Sequence, residues 1–396
     1  MKQTLFVNGN IILQDRILEG GTLLVAGDRI CGIGPEAAWE APDEIVDLQG
    51  RYLAPGFIDI HVHGGGGGDF MDAERGSWQL ALSTHLQHGT TSLCPTTLTA
   101  SVEEMESVFS LYREMESEQM PSRPRLLGLH MEGPYIAESM KGAQNADYIK
   151  LPEKGLTDWL LEKGAGALRI LTMAPELEGA GDVARAAREA GILLSVGHSD
   201  ARLEDVEQAV RDGYTMATHL YSGMSTIIRE NGMRRPGVLE AAMLMDELDV
   251  EVIGDGMHLP ASLLKLIVKT KGMDRIILVT DAMRAAGLPA GHYKLGSLKE
   301  GQTVWSDGQI ARMPDGISFA GSVATTDRLI RVMRDEAGVP LWQAVNMMTR
   351  NPARALGETE IGVLEPGKKA DLVCFDEQIH VERVYRDGVE VKSDFT

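Results

Sequence analysis

One unit recurs eight times along this chain: a short apolar run followed by an amphipathic stretch. The runs fall at 56–63, 90–95, 126–131, 168–174, 191–197, 215–220, 250–254 and 275–280. Runs this short and this apolar read as strands buried on both faces. The stretches between them carry helical periodicity. In 202–212, Leu203, Val206, Ala209 and Val210 form one stripe among Glu, Asp and Arg. Alternation of this kind lays strands parallel, because each helical crossover returns the chain to the same end of the sheet. Eight such units within about 250 to 300 residues predict an α/β fold, a closed (β/α)8 barrel of the TIM type spanning 55–361.

The two ends of the chain read differently. Leu5-Phe6-Val7, 22–25, 29–33 and 45–48 are short strand candidates, and Asn8-Gly9 predicts a hairpin turn. Strand character returns over 367–375 and 381–389, with a turn at Asp387-Gly388. Residues 1–54 and 362–396 together predict a small β-sandwich domain built from both termini. Between barrel and tail, 284–322 is irregular with some β character, and helices are expected over 324–336 and 341–348.

In a barrel of this type the chemistry sits at the C-terminal ends of the strands. There the sequence reads His61-Val62-His63 before five glycines, His130-Met131-Glu132-Gly133-Pro134, Gly197-His198-Ser199, Thr218-His219-Leu220-Tyr221, Asp255-Gly256-Met257-His258 and Thr280-Asp281-Ala282. A single His or Asp ending a strand is ordinarily structural; recurrence at so many strand ends is not. Glu132, His198 and His219 offer one carboxylate and two imidazoles, a ligand set for zinc or a similar first-row metal. His61 and His63, at i and i+2, project together and complete a second position with Glu132 as the bridge. Asp281 stands opposite as the group that takes and returns a proton. The implied reaction class is metal-assisted hydrolysis of an amide or related bond. His85 and His88 lie in a helical stretch and read as surface or packing residues, His292 and His380 lie outside the strand ends, and His130 reads as a supporting neighbour of Glu132.

A formal charge of -20 argues against nucleic acid and anionic membranes as partners. It still admits an anionic small substrate, since distant charge is screened beyond about 8 Å. Cys31, Cys94 and Cys374 form neither a disulfide framework nor a metal motif, which reads as reduced thiols in a cytoplasm. No signal-peptide core and no run of about 18 apolar residues is present, so no membrane span is expected.

The order and spacing of these motifs resemble the amidohydrolase superfamily, with its barrel, strand-end histidines, final aspartate and flanking β module. Many members bridge their metals with a carboxylated lysine ending the fourth strand; here that strand reads Leu171-Thr172-Met173-Ala174-Pro175. A carboxylate on the third strand, in His130-Met131-Glu132-Gly133-Pro134, is similar to the N-acetylglucosamine-6-phosphate deacetylases. So are Lys141-Gly142-Ala143, Gly197-His198-Ser199 and Ala320-Gly321-Ser322. The resemblance implies removal of the acetyl group from N-acetylglucosamine 6-phosphate, or alternatively from the galactosamine epimer or another N-acyl compound. It implies one or two divalent ions, zinc first, with iron or another first-row metal also admitted. It gives Asp281 the acid–base role, sets His258 against the substrate, and lines the sugar site with Ala143, Gln144, Ser222, Gly223, Phe319 and Ala320. It also implies a homodimer in which an arginine, matched by Arg234 with Arg229 as second candidate, grips the phosphate across subunits. Three departures lie on the substrate side: Gln144 stands where the family carries His, Ser222-Gly223 where it carries Asn-Ala, and the loop before Arg234 is longer.

Overall fold

Eight parallel strands form the barrel of the computed structural model, which describes residues 1–35, 42–118, 120–316 and 318–391. They are Phe57–Val62, Thr90–Thr97, Leu129–Glu132, Leu168–Met173, Leu193–Val196, Tyr214–Ala217, Asp249–Ile253 and Ile276–Val279, each paired with the next in sequence. The third begins later than its apolar run because Arg125–Leu126 pairs separately with the second strand and Gly128 turns at φ 111°. The eighth and first strands close the barrel without a regular ladder. At the C-terminal side Asp281 N–H donates to His61 O at 2.9 Å and His63 N–H to Ala282 O at 2.8 Å. Lower in the seam, Ile58 and Leu278 donate instead to the carbonyls of Met348 and Met347. The Asp59 carboxylate bridges the same seam, accepting from Thr280 N at 3.2 Å and Oγ1 at 2.5 Å. Burial raises Asp59 to about 7, against the pull of those hydrogen bonds.

Helices cover the outside of the barrel. Val102–Ser117 starts at a reciprocal cap between Ser101 and Glu104, and Leu203–Asp212 stops at Gly213 with φ 109°. Arg75–Gln87 lies over the glycine loop, and its His85 is fully buried. The His85 Nε2–H donates to Gly64 O at 2.8 Å, and burial holds the ring near 4, hence neutral. A Cβ at Gly68 would meet Ser77 O at 1.9 Å, so this loop approaches the helix as only glycine permits. Thr326–Asp335, Leu341–Asn346 and Arg350–Ala355 follow the barrel. The 284–322 region holds a three-stranded sheet of Gly291–Leu295, Gln302–Ser306 and Ala311–Arg312.

A separate, mostly antiparallel sheet gathers Gln3–Ile12, Ile17–Ala26, Arg29–Pro35, Glu44–Asp47 and Tyr52–Pro55 with Leu372–Phe375, Val381–Arg386 and Val389–Glu390. Its core includes Phe6, Leu23, Leu53, Leu372 and Tyr385, with the Phe6 and Tyr385 rings edge to face at 5.1 Å. The Asn8-Gly9 hairpin expected from sequence is corrected here. Gln3–Ile12 is one continuous strand, and Asn8 sits at φ 55° where the register slips. Asn-Gly supplied a bulge instead of a turn, since both features need the same left-handed residue. Among the described residues no helix is long and apolar enough to cross a membrane.

Candidate metal centre

The strand ends converge on Glu132. Its Oε1 lies 2.8 Å from His219 Nε2, 2.9 Å from His198 Nε2 and 3.6 Å from His61 Nε2; its Oε2 lies 3.5 Å from His63 Nε2. Asp281 Oδ1 faces the same rings, 3.1 Å from His63 Nε2 and 3.6 Å from His61 Nε2. All six side chains are buried. The chain turns abruptly to present them: His198, His219 and Asp281 have φ of 47°, 24° and 48°, conformations that cost energy in an L-residue and cluster at functional sites.

The proton bookkeeping of these rings tests whether a cation fits. The Nδ1 atoms of His61, His63 and His198 face acceptors: Glu251 Oε2 at 2.9 Å, Thr96 O at 3.2 Å and Met140 O at 2.8 Å. A neutral ring therefore carries its hydrogen on Nδ1 and turns an Nε2 lone pair toward carboxylate oxygens. Lone pairs facing lone pairs demand either extra protons or a metal ion. The buried Nε2 of His61 has no hydrogen-bond partner among the described residues. Among the described residues three overlapping triads have ligand atoms within 4.8 Å of one another: His61–Glu132–His219, His61–His63–Asp281 and His61–His130–Glu251. The donor set thus fits a first-row divalent cation.

The electrostatics agree. Burial pushes His61 down, yet Glu251, Glu132 and Asp281 together raise it to about 10. Burial pushes Glu132 up, but His198 and His61 drive it well below the usual carboxylate range. Asp281 is likewise held low, burial being outweighed by the hydrogen bond from His63 and the charge of His61. Such a site accumulates either protons or a cation.

Glu251 was not anticipated. It is the middle residue of the seventh strand, fully buried, and accepts from both His61 Nδ1–H and, at 3.2 Å, His219 N–H. The one sequence signal for it is an acidic residue inside an apolar run. His130 supports the site differently than expected: it touches no Glu132 oxygen but donates Nδ1–H to Ile60 O at 2.8 Å. Its Nε2 accepts from Thr172 Oγ1–H at 2.7 Å. Burial and the neighbouring His61 lower it to about 4, so it is neutral. A run of hydroxyls, Thr172, Thr218 and Ser195, continues from it at 2.7 and 2.6 Å.

A cavity of about 230 Å³ opens beside these groups, lined by His63, Glu132, His198, His219 and Asp281 on one side. Ala143, Gln144, Ser222, Gly223, His258 and Phe319 also line it. Gln144 has both amide ends engaged, donating to Glu132 Oε2 at 2.6 Å and accepting from Thr99 N–H at 2.7 Å. Its amide orients Glu132. A Cβ at Gly223 would meet His198 Nδ1 at 2.8 Å, so this position keeps His198 in place by lacking a side chain. His258 is anchored by Asp255 at 2.8 Å and packs on Phe319 with ring centroids 4.6 Å apart. Ala320 lies behind the wall, fully buried, its N–H donated to Ala311 O. Arg234 is not brought to the cavity. It pairs with Arg229 on an exposed hairpin of Ile228–Glu230 and Met233–Arg235.

Residues 52–396 match the profile of the amidohydrolase family. An N-acetylglucosamine-6-phosphate deacetylase of Lysinibacillus sphaericus is 35% identical over 342 residues, covering 86% of this chain and 85% of that one. An N-acetylgalactosamine-6-phosphate deacetylase of Escherichia coli O157:H7 is 30% identical and covers 96% of each chain. Among solved structures, the N-acetyl-D-glucosamine-6-phosphate deacetylase of Mycobacterium smegmatis in complex with N-acetyl-D-glucosamine 6-phosphate superposes with a TM-score of 0.91. It shares 31% identity over 99% of this chain and 100% of that one.

Proposed function

Because this chain belongs to the amidohydrolase family, we propose that it hydrolyses the acetamide of N-acetyl-D-glucosamine 6-phosphate to D-glucosamine 6-phosphate and acetate. The observation that carries this reading is the convergence of four imidazole Nε2 atoms on Glu132, with Asp281 across a substrate-sized opening. Glu132, His198 and His219 would hold one divalent ion, zinc first and iron next, and His61 and His63 a second, with Glu132 between them. When bound, such an ion supplies Lewis acidity toward an amide carbonyl and lowers the pKa of water to about 7.

The remaining steps belong to the chain's own residues. Asp281, ionised, accepts the proton of the attacking water on a carboxylate oxygen. It then returns that proton to the departing amine nitrogen as the C–N bond breaks, which leaves acetate and the free amine. Glu251 fixes the orientation of His61, and the backbone carbonyls of Thr96 and Met140 fix His63 and His198. His258, held by Asp255, and Phe319 bear on the sugar. The phosphate is gripped by Arg234 or Arg229 of a second copy: both are exposed, and neither lines its own chain's cavity. Exposed Ile227, Ile228 and Met233 on the same hairpin favour a homodimer that covers them. The assignment of 1–54 with 362–396 to one small β-sandwich domain, of 55–361 to the barrel, and of the protein to the cytoplasm belongs to the same proposal.

The E. coli O157:H7 relative and the change to Ser222 in the cavity wall favour one second reading, deacetylation of N-acetylgalactosamine 6-phosphate. Acetate release from both epimers and from unphosphorylated N-acetylglucosamine separates the two. Turnover of the glucosamine epimer well above the other two supports the first reading. Inertness of all three with metal-loaded protein overturns both.

A further inference from the structure

A second cavity, of about 300 Å³, lies near the N-terminal strand ends, away from Glu132 and Asp281. Its wall holds four arginines from distant parts of the chain. Arg123 and Arg125 precede the third barrel strand, Arg169 lies in the fourth, and Arg386 ends the strand Val381–Arg386 of the smaller sheet. Arg386 is 2% exposed and Arg123 8%. Among the described residues, two carboxylates line the cavity with them, Glu116 and Glu358.

Three of these guanidiniums, on Arg123, Arg125 and Arg386, are incompletely satisfied among the described residues. Arg125 is paired with Asp371 and Asp387, both at 3.0 Å, and Arg169 with Glu358 at 3.3 Å. Arg386 stands 3.6 Å from Asp387, a carboxylate already engaged by Arg125 and Lys369. Arg123 and Arg386 also donate to the carbonyls of Met115 and Met120. The Nε–H groups of Arg123, Arg125 and Arg386 are buried with no acceptor among the described residues. Burial lowers the guanidinium pKa of both Arg123 and Arg386, against partial compensation by Glu118 and Asp387 respectively. Arginine keeps its charge under such conditions, so an anion in this opening would complete their hydrogen bonding. In a chain of formal charge -20, four arginines gathered around one opening are a local exception. Their planar forks match the oxygens of a phosphate group.

We propose that this arginine cavity binds a small phosphate-bearing anion, at a site separate from the one that hydrolyses the amide. The volume holds a phosphate group with a small substituent, so inorganic phosphate and a phosphomonoester share the required chemistry. Binding here would join the smaller sheet, through Arg386, to the strand starts that carry Arg125 and Arg169.

Two measurements test it. In equilibrium dialysis of the metal-loaded full chain at fixed ionic strength, wild type should bind labelled phosphate at one site more than Arg123→Gln does. Otherwise affinity at that site should fall about tenfold or more. The kcat and KM for acetate release should stay within about twofold, since Arg123 is outside the hydrolytic cavity. Competition by glucose 6-phosphate would identify a phosphomonoester site, and its failure an inorganic phosphate site; either result supports the proposal. Identical isotherms for the two proteins would overturn it and show that the arginines serve only to cap the helix end near Met115. Arg386→Met is the companion variant. Because Arg386 is buried, tungstate soaked into wild-type crystals gives a readout free of mutation. Density between Arg123 and Arg386 is expected, and its absence at saturating tungstate contradicts the site. None of these outcomes depends on which N-acyl substrate is hydrolysed.

Discussion

The barrel mouth and the hairpin over Ile228–Arg235 belong to one proposed active site, yet they are built on opposite terms. At the mouth the six converging side chains are buried, each of their rings is oriented by a hydrogen bond or a carboxylate, and Glu132 lies within 3.6 Å of four imidazoles. The hairpin is exposed along nearly its whole length, and its arginines reach no group of their own cavity. The difference divides the labour. Bond breaking needs fixed geometry in a dry setting, so a single chain supplies it from rigid strand ends. Phosphate recognition needs charge, and charge can be lent by another copy.

The sharpest way to break this division is at the mouth. Asp281→Asn should lower kcat by about 10²- to 10⁴-fold, the usual contribution of a positioned acid–base, with the thermal midpoint nearly unchanged. A residual rate close to wild type would move the proton transfer elsewhere. The hairpin answers a different question. Arg229→Ala with Arg234→Ala should raise KM for the phosphorylated sugar by about 10- to 100-fold, as expected for the loss of a charge-assisted contact. Its kcat should stay within a fewfold. Mixing that variant with Asp281→Asn should recover activity if the hairpin serves a neighbour's cavity, whereas additive inactivity would return it to its own chain.

Smaller effects sharpen the picture. Glu251→Gln leaves its shape intact and weakens the anion behind His61 and His219, so metal affinity should fall about 10- to 100-fold. Calorimetric metal titration measures this without any substrate, and an unchanged affinity would reduce Glu251 to packing. Smallest of all, Met233→Ser on the exposed hairpin should change chain stability by less than about 0.5 kcal/mol. Its effect should appear in self-association by sedimentation, because the residue is 59% exposed in the single chain.

Much of the barrel was legible because strands buried on both faces leave continuous apolar runs, and glycine or proline marks most of their ends. The strand-end histidines and Asp281 stood out for a related reason: a polar side chain ending such a run has little else to do. Where the reading failed, one local signal served two structures. Asn8-Gly9 supplies a left-handed residue, which a bulge uses as readily as a turn. Glu251 was invisible because its significance lies in His61 and His219, residues 190 and 32 positions away. Gln144 lines the cavity, but the capture of both ends of its amide by Glu132 and Thr99 leaves no trace in the sequence. His130 was read as a neighbour of Glu132, but its ring reaches toward Ile60 and Thr172. Relations of this kind arise only on closing the barrel.

The most direct measurement is metal content and acetate release on the same preparation, for wild type, chelated wild type and Glu132→Gln, with N-acetylglucosamine 6-phosphate as substrate. The account predicts one or two first-row ions per chain in the wild type, inactivity after chelation and recovery when zinc or iron is restored. Glu132→Gln, which removes the charge on which four rings converge, should bind far less metal and release little acetate. Undiminished acetate release from protein stripped of metal would contradict the account at its centre.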